Sequence, residues 1–277
     1  MTTSRNVLLA AALLAASPLA AQGMSAAAPA LTYADMVSLG EDAEIVARVQ
    51  IRDQVALKPE RAPGVAPGHV RIYVEARTVA LISGNVPVGE DLRYLVDVPL
   101  TAKGKVPKLK KQEMLVFARP VAGRPGEIQL VGSGAQRSYT PELEAQVRPV
   151  LTALLAPDAP PHVTRVADAL AVEGTLVGES ETQLFLDTKD DGPVSITVVR
   201  RPNQAPRWGV SWSEIVDQSA RAPQQGTLAW YRLACTLPAQ LPAEASLSRD
   251  PRARELAARD YAFVIEQLGP CTRTLDR

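Results

Sequence analysis

An α+β, β-rich fold is predicted: a small antiparallel barrel or sandwich, followed by a second antiparallel-sheet domain packed with a C-terminal helix. Three observations carry this reading. Residues 31–156 hold five segments with the two-residue apolar alternation of half-buried strands, separated by turns rich in Gly and Pro. Residues 162–277 hold four more such segments and close on one long amphipathic run. Short helices stand only at the margins, which favours antiparallel sheets over a parallel α/β arrangement. A five-stranded, oligonucleotide/oligosaccharide-binding type (OB-like) barrel is one candidate topology for residues 31–156.

Residues 1–21 read as a signal peptide. Arg5 and the amino terminus supply positive charge, Val7 to Ala16 are unbroken apolar residues, and Pro18-Leu19-Ala20-Ala21 is a small-residue end. The apolar run is too short to span a bilayer, and no later stretch is long and apolar enough to do so. Cleavage is expected after Ala21, leaving a soluble mature chain without a transmembrane segment.

Thr32 to Leu39 reads as a short helix, with Thr32 as cap and Gly40 as stop. Ile45, Ala47, Val49 and Ile51 then alternate with polar positions as a strand, and Lys58 to Gly68 is a Pro- and Gly-bearing loop. Further strands are expected at Val70 to Ile82, Leu92 to Val98, Gln112 to Ala118 and Glu127 to Val131. Thr140-Pro141-Glu142 opens a helix that Pro149 should kink or split in two. Ala156-Pro157-Asp158-Ala159-Pro160-Pro161 is the strongest boundary in the chain, with residues 157–161 a stiff spacer.

After the spacer the pattern suggests a short helix at Val163 to Ala171. Strands are expected at Thr182 to Thr188, Val194 to Arg200, Arg207 to Ser213 and Leu228 to Cys235. Asp250 and Pro251 open the terminal helix, whose apolar face is Ala257, Tyr261, Val264, Ile265 and Leu268. Gly269 and Pro270 end it, and Cys271 follows at once. Cys235 and Cys271 are the only cysteines, so in an oxidising compartment they are expected to pair.

The chain of 277 residues is 46% apolar and 22% charged, a composition that folds rather than stays disordered. Thirty basic residues balance thirty acidic ones, so no chain-wide field steers the protein to nucleic acid, and no nucleic-acid partner is expected. Charge is nevertheless uneven. Lys103, Lys105, Lys108, Lys110 and Lys111 fall within nine residues and form a candidate anion-binding hairpin, or a solvated loop that shields a sheet edge. No aromatic residues are interleaved with them, so they offer no base-stacking platform.

Arg207, Trp208, Trp212 and Glu214 are a second candidate, since aromatic rings beside a guanidinium and a carboxylate can form a ledge for a sugar or peptide. The competing reading puts Trp208, Val210 and Trp212 on one strand face as sheet core. Other motifs fail on their residues. Neither His69 nor His162 belongs to an HxxxH pair, and Gly209 to Ser213 lacks the last glycine of a nucleophile elbow. The stretch from Asp187 to Gly192 has Lys189 and, further on, Val198 where a calcium loop needs acids. Glu179 and Glu181 read as solvated strand-edge charges. No cofactor or metal is expected. The resulting expectation is an exported, non-catalytic binding or structural module of the cell envelope that meets an anionic envelope component. The alternative is a hydrolase that acts on an envelope polymer through carboxylates.

Overall fold

The computed structural model describes residues 29–84, 86–213 and 221–275; the leader pattern and Glu214 lie outside the described residues. The fold is mixed α+β, with two mostly antiparallel sheets and a C-terminal helix.

Helix α1 (Tyr33–Asp42) starts at a capping box: Thr32 Oγ1 accepts from the Asp35 amide, and the Asp35 carboxylate accepts from the Thr32 amide at 2.9 Å. It passes through Gly40, the expected stop. A Cβ at that position would lie 2.8 Å from a Leu154 methyl, so glycine there serves the close approach of α2 (Pro141–Leu154). Helix α2, capped by Thr140, is one continuous helix through Pro149, not two.

The first sheet contains β1 (Ile45–Ala56), β2 (His69–Gly84), β3 (Asp91–Pro99), β4 (Glu113–Pro120) and β5 (Ile128–Leu130), in the order β3-β2-β1-β4-β5. A sixth strand, β6 (Gln136–Ser138), absent from the sequence reading, pairs with β4. The sheet curls until Arg93 of β3 meets Glu127 in a parallel bridge, with Arg93 N donating to Gly126 O at 2.8 Å. That bridge does not extend into a ladder because β5 has only three residues, so of the barrel or sandwich expected the chain forms a curled antiparallel sheet that does not close. Ile51, Ile72, Val74, Leu92, Val116 and their neighbours fill the inside of the curl.

Strand β4 is buried on both faces, which explains its continuous apolar run. Met114, Val116 and Ala118 point into the curl, while Leu115 and Phe117 join Val46 of β1 in the other core. That second core takes residues from α1 and α2, and continues across the proline spacer into everything that follows. The spacer separates the two sheets along the chain, but it does not separate this core.

The second sheet is a meander of β7 (Val163–Glu173), β8 (Ser180–Thr188), β9 (Val194–Arg200) and β10 (Arg207–Ser211), in the order β10-β9-β8-β7. Two sequence expectations are corrected here. Residues 163–171 are strand, not helix: register shifts after Val163 and after Val166 move the inward positions to 163, 166, 169 and 171. Two bulges thus convert a period of two into something close to a helical period. Residues 228–234 are helix, not strand. Here α3 (Leu228–Ala234) is capped by Thr227, whose hydroxyl accepts from the Trp230 amide. Because Leu228, Trp230, Tyr231, Arg232 and Leu233 are all buried, no polar face was left to reveal the helical period.

Helix α4 (Pro251–Leu268) packs on the inner face of this sheet through Ala257, Tyr261 and Val264. Its buried Asp260 accepts from Thr182 Oγ1 and Arg200 Nε, each at 2.5 Å, which fastens helix to sheet. Cys235 and Cys271 are bonded, so the chain after α4 is tied to the end of α3. No helix among the described residues is long and apolar enough to cross a membrane.

Phe117 is fully buried where the first sheet meets this second core. Phe117→Ala is expected to destabilise the whole chain by about 3–5 kcal/mol. Thermal unfolding followed by circular dichroism should show one transition moved to lower temperature, because both sheets lean on this side chain. Loss of the signal from one sheet alone would contradict a shared core.

Candidate functional site

The outer face of the first sheet exposes apolar side chains of three neighbouring strands. Beyond the register shift between Ile51 and Asp53, β1 presents Asp53 and Val55 outward, opposite Glu75 and Tyr73 of β2. Tyr73 in turn faces Leu95 of β3, and Glu75 faces Arg93. Val55, Tyr73 and Leu95 therefore form one row across three strands, with neighbouring Cβ atoms about 5 Å apart. Val55 is 58% and Leu95 47% exposed, Tyr73 half-buried between them.

Charged rows flank this apolar one. On one side Arg71 grips Asp97 through two hydrogen bonds of 2.7 and 2.8 Å, which hold the Asp97 carboxyl below its usual range. On the other, Asp53 pairs with Lys110 at 3.3 Å, and that hydrogen bond lowers the Asp53 pKa.

Lys110 belongs to the Lys-rich segment, which is an irregular connection between β3 and β4. Gln54 of β1 organises it: its amide donates to Pro107 O at 2.8 Å and its carbonyl accepts from the Leu109 amide. Leu109 is buried against the curl, while Lys103, Lys105, Lys108 and Lys111 point to solvent without an ion-pair partner among the described residues. The loop between β1 and β2 lies at the same end, since Leu100 N donates to Gly68 O at 2.8 Å. Together the loops 57–68 and 100–112 carry seven cations (Lys58, Arg61 and the five lysines) against one carboxylate, Glu60. Because the whole chain is balanced, the rest of it bears the matching excess of acid.

The tryptophan candidate resolves differently. Trp208 lies opposite Val198, and Val210 opposite Ile196, on the face of β10 turned to the core. Trp208 and Trp212 are half-buried against that core, whereas Arg207 is exposed. Glu214, the fourth residue of this candidate, lies outside the described residues. Glu179 and Glu181 lie with Glu173 around the β7–β8 turn, and no group of three or more His, Cys, Asp or Glu among the described residues could hold a metal ion.

A polar junction that the sequence did not reveal lies between α1, the spacer and α3. Arg232, 4% exposed, pairs with Glu41, donates to Pro160 O at 3.0 Å and approaches His162 Nδ1 at 3.0 Å. His162 Nε2 is 3.5 Å from Glu41. Tyr231 reaches both Ser38 and Glu41, and Arg273 from beyond the disulfide reaches Ser38 and Tyr231. Burial, then the Arg232 charge, lowers the His162 pKa; Glu41 opposes them. The partners of His162 are a guanidinium and a carboxylate, and exposed His69 meets the Pro67 carbonyl. No protein-family model matches the chain, and comparison with curated proteins finds no match.

Removing Glu41 strands a buried guanidinium. Glu41→Ala is expected to cost about 3–5 kcal/mol, measured by denaturant unfolding. His162 sets a pH dependence. Its folded pKa lies below the ordinary value, so its contribution is complete above about pH 6.5 and is lost progressively as pH falls toward the folded value. His162→Gln should remove that limb from a plot of stability against pH; an unchanged limb would assign it to other groups.

Proposed function

We propose that the protein is an exported, non-catalytic binding module of the cell envelope whose basic end receives an anionic envelope component. The observation that carries this reading is the exposed Val55–Tyr73–Leu95 row beside Lys103, Lys105, Lys108 and Lys111, which have no ion-pair partner among the described residues. Exposed aliphatics rimmed by charge are the usual mark of an interaction surface. The lysines add the long-range attraction that brings an anionic partner to it.

Two further observations support the reading. The strand order and the parallel approach of β3 to β5 suit an OB-like, partly open barrel, an architecture whose second and third strands commonly face an extended polymer. Tyr73 is the only aromatic residue in the row, so successive bases would find no stack, which favours a glycan or headgroup phosphate over nucleic acid. Export is supported by the leader pattern of residues 1–21 and by the Cys235–Cys271 bond.

Heparin serves as a test polyanion. Binding should weaken linearly with the logarithm of salt, and replacing Lys103, Lys105, Lys108 and Lys111 by Glu should abolish it. Tyr73→Ala should lower affinity while the salt slope stays the same and stability changes by less than about 1 kcal/mol. Isothermal titration at graded salt decides the matter, and undiminished binding by the lysine variant would remove the basic end from the account.

A further inference from the structure

The turn between β7 and β8 presents Val177, 99% exposed and the most exposed large hydrophobic among the described residues, next to Leu176 at 61%. The turn is held by its own backbone: Gly174 N donates to Glu179 O at 2.8 Å, and Glu179 N to Leu176 O at 2.9 Å. Gly178 takes a φ of +84°, which favours glycine, and a Cβ on Gly174 would lie 2.5 Å from the Glu179 side chain. Two apolar side chains are thus displayed on a preformed support. Behind them, Leu170 and Val172 are also exposed on the outer face of β7.

The charge of this hairpin is one-sided. Residues 170–183 contain Glu173, Glu179 and Glu181 and no Lys or Arg. Arg252, Glu255 and Arg259 of α4 line the groove on its inner side, and Arg201 the groove on the other, so three guanidiniums border the hairpin's three carboxylates.

We infer that this hairpin docks on the basic end of the first sheet of a second copy of the chain, a head-to-tail contact. The inference rests on that basic end being the protein's binding face. The two surfaces match in kind: Leu176 and Val177 against Val55, Tyr73 and Leu95, and three carboxylates against the lysines of residues 103–111. They are borne by different sheets of one copy, so the contact is heterologous and copies add in series unless the rotation closes a ring. An anionic ligand competes for the same lysines, so ligand binding and self-association exclude each other.

Sedimentation velocity on the purified protein tests this. At low salt the mass should rise with concentration, and it should return to that of one chain when salt or heparin is added. A basic-end variant (Lys103→Glu, Lys105→Glu, Lys108→Glu) and a hairpin variant (Glu173→Lys, Glu181→Lys) should each stay at the mass of one chain. Mixed, they should associate again, because each supplies the charge the other lost. Val177→Ser should weaken association and leave heparin binding unchanged. A wild-type chain that keeps the mass of one copy at every concentration, or a mixture that fails to associate, overturns the inference. Heparin binding by the hairpin variant reports separately on the basic end: retained with no self-association, it leaves the binding reading standing.

Discussion

A guanidinium withdrawn from water must find a carboxylate, and for Arg232 that carboxylate lies 191 residues earlier in the chain, on Glu41. Much of the architecture is the set of routes that lets this pair meet. The spacer passes over it so that Pro160 offers a carbonyl and His162 lies against the pair. Residues 228–234 coil as a helix, which puts Tyr231 and Arg232 on the same junction with α1. The disulfide brings Arg273 within reach of Ser38 and Tyr231. Breaking the pair leaves a charge where water cannot follow, so the two sheets are held to one relative placement by electrostatics as well as by apolar contact.

The same constraint divides the first sheet into two ends with different work. Near α1, β1 and β4 turn Val46, Leu115 and Phe117 outward into the core shared with the second sheet. Further along β1 the outward positions become Arg48, Gln50, Asp53 and Val55, and nothing of the second sheet covers the last of them. One strand thus serves as interior at its start and as surface at its end. The lysines follow the geometry: they cluster at the end away from the buried pair, where extra positive charge does not compete with Arg232 for Glu41.

Legibility in the sequence tracked how simple the local environment is. The strand His69–Gly84 and the helix Pro251–Leu268 have one wet and one dry face, as does Ile45–Ala56 beyond its buried start, and their periods were readable. The helix expected at 163–171 is a strand because bulges shift the dry face along it, and the strand expected at 228–235 is a helix over 228–234 because no face is wet. Gly40 looked like a stop, but its role is set by Leu151 and Leu154, more than a hundred residues away. Of the candidate site, the lysines were visible as a run of like charge. The Val55–Tyr73–Leu95 row was not, since its members are unremarkable in each strand and become a surface only through the register that joins them. The Glu41–His162–Arg232 junction was hidden for the same reason.

Asp35 closes the capping box of the first helix, and it also accepts hydrogen bonds from Thr274 and from the Leu275 amide, near the very end of the chain. Burial opposes ionisation of that carboxyl, but the bonds from Thr274 and Thr32 outweigh it and hold its pKa below the usual value. A polypeptide is made from its amino end, so Asp35 of α1 is synthesised 239 residues before its partner Thr274. Until then α2 can already cover its apolar side, but the Asp35 carboxylate lacks the bonds from Thr274 and Leu275. Contacts of such long separation form late and slow the search for the native state. Completion of the first helix therefore waits on residues 274–275, and a chain that lacks Thr274 carries the defect in α1.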